Sequence, residues 1–361
     1  MKKINVADAV ARQVVAEDIV TPRGQVIAKA GTPLNDQLIL HIKFYNIPTI
    51  AIMDEMVAEE EKEDEFVKET MMWRLKHSEE FQHFQKEFAT SVEDLKDVLS
   101  DFILRQEPID SQRLISETTN LFQENTTGIS MMNMLLGMKE IDDSTYAHSI
   151  NVAVTSRVMG MWLNYSKEEL DILTLCGLLH DVGKCVISNS ILTKPGGLTK
   201  LEYEKIKEHP LLGYEILKSQ PELDKRIPLA TLQHHERFDG SGYPYNIKGD
   251  EIEDFSAIVA IADVYDAMTA DRVYRAGICP FDVIGDFQKN AFNMYHPDFI
   301  MIFLSRIAES YLNAGVMLSD KSRGKILMIN NTELTRPLVQ LDNGKFIDLR
   351  DRMDLYIKAI L

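Results

Sequence analysis

The chain has few cysteines, no long apolar run and no excess of basic residues, and each shortage narrows what it can be. Three cysteines in 361 residues, Cys176, Cys185 and Cys279, are too few and too scattered for a disulfide framework. They fit a reducing compartment, so a cytoplasmic location is expected. No stretch approaches the ~18 consecutive apolar residues of a membrane span. The start, Met1-Lys2-Lys3-Ile4-Asn5-Val6, is not followed by the apolar segment of a secretory signal. A membrane-bound protein is therefore not expected. Lys and Arg number 39 against 56 Asp and Glu, a formal charge of −17. That balance argues against general binding to a nucleic-acid polymer, which needs basic surface. It leaves room for a small anionic ligand, because the potential of a site is set locally. Part of the acid is concentrated from Glu59 to Glu65, which reads as a solvated linker or helix start. At 45% hydrophobic the chain can build a real core, and its length calls for more than one domain.

What the chain does have is histidine in a pattern. The segment His234-His235-Glu236-Arg237-Phe238-Asp239-Gly240-Ser241-Gly242-Tyr243-Pro244 sets two imidazoles side by side, then turns sharply through glycines and a proline. A structural core seldom needs adjacent histidines. A metal site does, since neutral imidazole is the commonest nitrogen ligand of divalent first-row metals. Upstream, Leu178-Leu179-His180-Asp181-Val182-Gly183-Lys184 ends an apolar helical stretch in His, Asp and Lys. His148, His180, His209 and the His234-His235 pair follow one another at intervals of about 25 to 32 residues, as expected if successive helices each lend a ligand to one bundle core. Asp263 comes one interval later, at the end of the apolar run from Ala257 to Ala262. A carboxylate in such a run must be paired, hydrogen-bonded or metal-bound, because burying it bare is prohibitive. Together these clusters suggest a metal-dependent phosphohydrolase.

From Asp142 to Arg275 the sequence resembles the HD-GYP domain, a branch of the HD phosphohydrolases. The matching pieces are Thr145 with His148-Ser149, His180-Asp181 with Lys184, Ile191-Leu192 with Lys194-Pro195-Gly196, His209-Pro210, the segment from His234 to Pro244, and Ala262-Asp263 leading to Arg272 and Arg275. The resemblance implies a phosphodiesterase that hydrolyses cyclic di-GMP to linear pGpG and often on to GMP. It implies one metal held by His148, His180, Asp181 and Asp263, and a second by Asp181, His209, His234 and His235, with Asp181 bridging. Lys184 matches a lysine that contacts the substrate phosphate. Arg272 and Arg275 match basic positions near phosphate and guanine. Gly242-Tyr243-Pro244 matches a loop-shaping element open to protein partners.

The residue types agree with that chemistry. Two metals ~3.5–4 Å apart can share a hydroxide, lower its pKa and offset charge on the phosphate oxygens. Lys184 would add a point charge for the same oxygens. An imidazole–carboxylate set without thiolate suits iron first and manganese second. Some family members hold a third metal through a Glu four residues before His148. This chain has Ser144 there, a poor ligand, so two divalent ions are expected. Glu236 is a candidate for orienting an imidazole. Cys176 and Cys185 flank the His-Asp cluster and read as packing residues. His296, before Pro297, reads as structural, and His41, His77 and His83 lie outside the ligand pattern. Two rivals remain: an HD phosphohydrolase acting on another cyclic dinucleotide such as cyclic GMP-AMP, and a non-catalytic module that senses cyclic di-GMP. The intact ligand set weighs against the second.

The expected fold is mainly α: an HD-type helical bundle with a small β-rich N-terminal domain and a short β C-terminal extension. Residues 1–54 hold strand-like runs, Gln13-Val14-Val15-Ala16, Val26-Ile27-Ala28 and Thr49-Ile50-Ala51-Ile52, with one helix expected from Gln37 to Tyr45. Residues 55–140 read as a helical linker and packing region, where Val92, Leu95, Val98, Leu99, Phe102 and Ile103 form a 3- and 4-spaced stripe. That stripe suits packing and leaves a homodimer open. Met131, Met132, Met134 and Met138 read as core filler. Residues 141–316 form the catalytic bundle. In residues 317–361, Ile326–Ile329 and Pro337–Leu341 read as strands, with a hairpin turn at Asp342-Asn343-Gly344 before Lys345–Asp348.

Overall fold

The computed structural model describes residues 2–6, 9, 13–20, 26–32, 34, 38–39, 42, 47–57, 70–122, 126–138, 145–192, 194, 198–270, 279–290 and 292–361. The chain divides into two compact units, one of Met1–Lys68 with Asn189–Thr199, the other of Glu69–Ser188 with Lys200–Leu361.

The first unit is built on short strands: β1 (Lys2–Asn5), β2 (Gln13–Val15), β3 (Ile19–Val20), β4 (Val26–Ala28) and β5 (Thr49–Val57). β1 and β2 flank β5 in an antiparallel sheet, with Ile4 opposite Ile50, and β3 pairs with β4. Its core is aliphatic, around Val15, Leu34, Ile42 and Ile50. β5 runs past the expected Ile52 to Val57, and β1 and β3 are strands that local sequence does not announce. Most of the expected helix from Gln37 to Tyr45, including His41, lies outside the described residues, as does the acidic run from Glu59 to Glu65.

The second unit is helical with one terminal sheet. Its helices are α1 (Met71–Lys76), α2 (Glu79–Arg105), α3 (Ser111–Asn120), α4 (Gly128–Met138), α5 (Thr145–Trp162), α6 (Lys167–Leu179), α7 (Lys200–Ile206), α8 (His209–Leu217), α9 (Arg226–Gln233), α10 (Asp254–Ala270), α11 (Pro280–Asn290) and α12 (Pro297–Glu309). α2 starts where the Ser78 hydroxyl accepts the Phe81 N–H at 3.1 Å, with Glu79 and Glu80 suiting the positive end of the helix dipole. Its stripe of Val92, Leu95, Val98, Leu99 and Phe102 is buried, continuous with Phe88, Phe84 and Phe81 one, two and three turns earlier. The four methionines of α4 are all buried, which is what a core-filling role requires.

α5, α6 and α10 form the inner layer. Each is apolar on nearly every face, the signature of a helix surrounded by others. α6 opens on a capping box: the Ser166 N–H donates to Glu169 at 2.8 Å, and the Glu169 N–H to the Ser166 hydroxyl at 3.3 Å. Near its other end, a Cβ on Gly177 would stand 2.4 Å from the Ala153 Cα. α5 and α6 therefore meet backbone to backbone, just ahead of His180. The terminal sheet, with β6 (Gly315–Leu318), β7 (Arg323–Met328), β8 (Leu338–Leu341), β9 (Phe346–Asp348) and β10 (Ile357–Ile360), has the antiparallel order β10-β6-β7-β8-β9. The hairpin turn lies where the sequence puts it, and the Leu341 N–H donates to the Lys345 carbonyl at 2.8 Å.

Gly177→Ala must push the two inner helices apart. Overpacking of this kind costs about 1–3 kcal/mol, so the variant should unfold at lower denaturant than wild type, with an unchanged slope. An unchanged midpoint would show that α5 and α6 can part without penalty.

Candidate metal centre

Helix ends bring the predicted side chains together. His148 lies in the first turn of α5, His180 caps the C-terminus of α6, and Asp181 begins the short 3-10 helix Val182–Val186 that carries Lys184. His209 is the first residue of α8, His234 caps α9, and His235 follows it. Asp263 is in the middle of α10. His180, Asp181, His209 and His234 are all buried.

Three of the rings share one device. Nδ1 of His180, His209 and His234 lies 2.7–2.8 Å from the carbonyl three residues earlier, of Gly177, Ile206 and Thr231. A carbonyl only accepts, so Nδ1 is the protonated nitrogen and Nε2 keeps its lone pair. Those Nε2 atoms point inward at Asp181. Its Oδ1 is 3.2 Å from His209 Nε2 and 3.9 Å from His234 Nε2. Its Oδ2 is 3.4 Å from His180 Nε2 and 3.8 Å from His148 Nε2. One carboxylate thus faces two histidine pairs, one with each oxygen. Asp263 stands on the far side, Oδ1 3.3 Å from His148 Nε2 and Oδ2 3.9 Å from His235 Nδ1. Ligand atoms of His148, His180 and Asp263 lie within 4.8 Å of one another, and so do those of His209, His234 and His235 and those of His180, Asp181 and His234.

The donor set fits divalent metal. His209 Nε2 and His234 Nε2 face each other at 3.2 Å, two lone pairs with no proton of their own to share. His180 Nε2 and Asp181 Oδ1 are buried without a hydrogen-bond partner among the described residues. Buried polar atoms left so are rare and costly, and a cation between them answers both. Charge is arranged to match. Burial works against ionisation of Asp181, but His180 and Lys184 outweigh it and hold the carboxyl well below its usual range. Lys184 Nζ donates to Asp181 Oδ2 at 2.5 Å. Burial, reinforced by the neighbouring histidines, keeps His234 neutral, and burial brings His235 down to about 3. His148 goes the other way. Burial disfavours its charge, yet Asp263 and Asp266 push its pKa up to about 10.

Asp266 is the residue that sequence reasoning missed. Its Oδ2 accepts from His148 Nδ1 at 2.8 Å and does for that ring what a carbonyl does for the others. The signal was present, since Asp266 is a second carboxylate one helical turn after Asp263 in the same buried helix. Glu236 makes no hydrogen bond to an imidazole among the described residues: it is buried, and its Oε1 accepts from the Tyr245 N–H at 2.7 Å. Burial raises its pKa, against the N–H groups of Tyr245, Asn246 and Ile247, which favour the carboxylate. Tyr243 instead contacts the centre, its ring stacked on His235 at 4.6 Å and 26°. Cys176 is buried as expected, whereas Cys185 is exposed and does not pack. His296 stacks on Phe299, His77 on Trp73, and His83 is exposed. Arg272, Arg275, Ser144, Pro195 and Gly196 lie outside the described residues.

A family model of the HD domain matches residues 112–299, more than half of the chain. The cyclic di-GMP phosphodiesterase response regulator RpfG of Xanthomonas campestris is 36% identical over 165 residues, 45% of this chain and 43% of that protein. The 3′3′-cGAMP-specific phosphodiesterase 3 of Vibrio cholerae is 38% identical over 143 residues, 38% of this chain and 30% of that protein. The chain thus spans less than half the length of either relative. Among solved structures, Bd1817, an HDG"Y"P protein from Bdellovibrio bacteriovorus, superposes with a TM-score of 0.53 at 13% identity. That match covers 85% of this chain and 99% of the other, and it bears on the fold alone.

The raised pKa of His148 has a sign. Its stabilising contribution is complete below the ordinary histidine value of 6.5 and is lost as pH rises through about 10. Melts of chelator-treated protein across that window should show Tm falling with pH, and Asp266→Asn should flatten the fall. An identical decline in both proteins would exclude the His148–Asp266 pair as its source.

Proposed function

The chain belongs to the HD domain family, and from that premise we propose that it is a metal-dependent phosphodiesterase of the HD-GYP branch that hydrolyses cyclic di-GMP. The first product is linear pGpG, and cutting the second ester gives GMP. The observation that carries this reading is the carboxylate of Asp181, with one oxygen toward His148 and His180 and the other toward His209 and His234. His148, His180, Asp181 and Asp263 would hold one ion. Asp181, His209, His234 and His235 would hold the other. When bound, the ions supply a lowered pKa for water and positive charge against the phosphate oxygens.

The chain's own groups do the rest. The main-chain carbonyls behind His180, His209 and His234 keep those rings in the tautomer that offers Nε2. Lys184, charged and half-buried beside Asp181, offers its ammonium to a phosphate oxygen. Arg272 and Arg275 are assigned to phosphate and guanine by sequence register. Imidazole and carboxylate donors without thiolate favour iron, with manganese second. Ser144 in place of a carboxylate argues for two ions and not three. A cytoplasmic setting, protein partners at the Gly242-Tyr243-Pro244 loop and a homodimer accompany this reading. Among the described residues no helix is long and apolar enough to cross a membrane.

The similarity to a phosphodiesterase named for 3′3′-cGAMP supports a second substrate reading, cyclic GMP-AMP at the same centre. A sensor without catalysis is disfavoured, because a module that only binds has no use for Asp181 set between two histidine pairs.

The deciding experiment is turnover of cyclic di-GMP and 3′3′-cGAMP by anaerobically purified protein, with iron or manganese added in parallel. Metal-dependent release of pGpG or GMP is expected, with Asp181→Ala inactive and Lys184→Ala slowed by about 10²–10³-fold. Hydrolysis of the mixed dinucleotide alone would select the second reading. A metal-loaded protein that cleaves neither would refute both. Metal analysis of the same preparation should return two ions per chain, and three would overturn the argument from Ser144.

A further inference from the structure

His235 is the exception among the imidazoles of the centre. His180, His209 and His234 are each fixed by a carbonyl and His148 by Asp266. Among the described residues no such bond fixes His235, whose Nδ1 lies 3.9 Å from Asp263, beyond hydrogen-bond reach. What meets its ring is the face of Tyr243. The Tyr243 ring also carries the Lys207 ammonium, 5.0 Å from its centre.

Tyr243 needs a support of its own, and the loop that carries it supplies one. The loop doubles back on the backbone it came from. The Tyr243 N–H donates to the His235 carbonyl at 3.2 Å, and a Cβ on Gly242 would strike backbone atoms of His235, Glu236 and Arg237 at 2.4–2.5 Å. Beyond Pro244 the loop is tied at one charged group, where the Tyr245 N–H donates to Glu236 Oε1 at 2.7 Å. Arg237, next in sequence, directs its guanidinium elsewhere, to the carbonyls of His234 and Glu236 and over the ring of Tyr295. Glu236 is only 2% exposed, so its interaction with the loop is made largely away from water.

We propose that Glu236 is a positioning residue for His235: its buried carboxylate ties the loop after Pro244 so that the Tyr243 ring lies flat against the imidazole. This deepens the two-ion reading above and rests on it for its consequence. The loop replaces the carbonyl anchor that His235 lacks, so loosening it weakens only the ion held by His209, His234 and His235.

Four variants of the full chain test this: Glu236→Ala, Glu236→Gln, Tyr243→Ala and the double change Glu236→Ala with Tyr243→Ala. In metal-free protein, amide exchange across residues 237–249 should rise at least about tenfold in Glu236→Ala and return toward wild type in Glu236→Gln, whose carbonyl still accepts. In manganese titrations, Glu236→Ala should bind one ion about tenfold more weakly and the other as before. Tyr243→Ala should match that loss, and the double variant should lose no more than either. Unchanged exchange in Glu236→Ala, equal weakening of both ions, or fully additive losses would each overturn the proposal. If wild type itself takes up fewer than two ions, the functional reading fails, and exchange in the metal-free chain still decides whether Glu236 holds the loop.

Discussion

A carboxylate stripped of water sets the terms for this centre. Asp181 is 5% exposed and lies where the ends of α6 and α9 and the start of α8 converge beside α5. Its charge survives there only because opposite charge and ligand-type groups surround it, His180 and Lys184 foremost. That requirement explains why helix ends supply most of the site, with Asp263 and Asp266 coming from the body of α10. An end leaves carbonyls that can turn an imidazole, and a side chain there projects beyond the helix axis toward a neighbour. The inner helices in turn have to lie close, which Gly177 against Ala153 permits.

The two sides of Asp181 differ electrostatically. His234 and His235 are held neutral by burial, while His148, between Asp263 and Asp266, takes a proton readily. The half of the centre around His148 therefore carries the carboxylates, and the half around His209 is almost purely imidazole. On the two-ion reading the two positions would therefore have different affinities, because carboxylate and imidazole rank the first-row metals differently.

Most of the site was legible in the sequence because its residue types are expensive to bury for any other purpose. Two adjacent histidines and an Asp closing the run from Ala257 to Ala262 have few structural explanations. The same logic extends to Asp266, one turn further, where the apolar run had already ended as a guide. Glu236 could not be read in the same way. Its partner is the N–H of Tyr245, nine residues on and across the turn at Pro244, and main-chain donors leave no trace in a sequence. In the fold, long stripes such as that of α2 were plain. β1, β3, β6 and β10 were not, being four residues or fewer, with burial set by their sheet partners and not by any alternation of their own. Cys185 reads as packing from its place beside the His-Asp cluster, yet the 3-10 turn presents it to solvent.

The anchoring of the imidazoles also bears on how such a centre can evolve. Three rings are oriented by main-chain oxygens, which every residue possesses, so no single substitution deletes them. Only His148, through Asp266, and His235, through Tyr243, depend on what a codon specifies. Heritable change in how the rings are aimed can thus enter through those two supports, while the rings of His180, His209 and His234 are held by the peptide backbone itself.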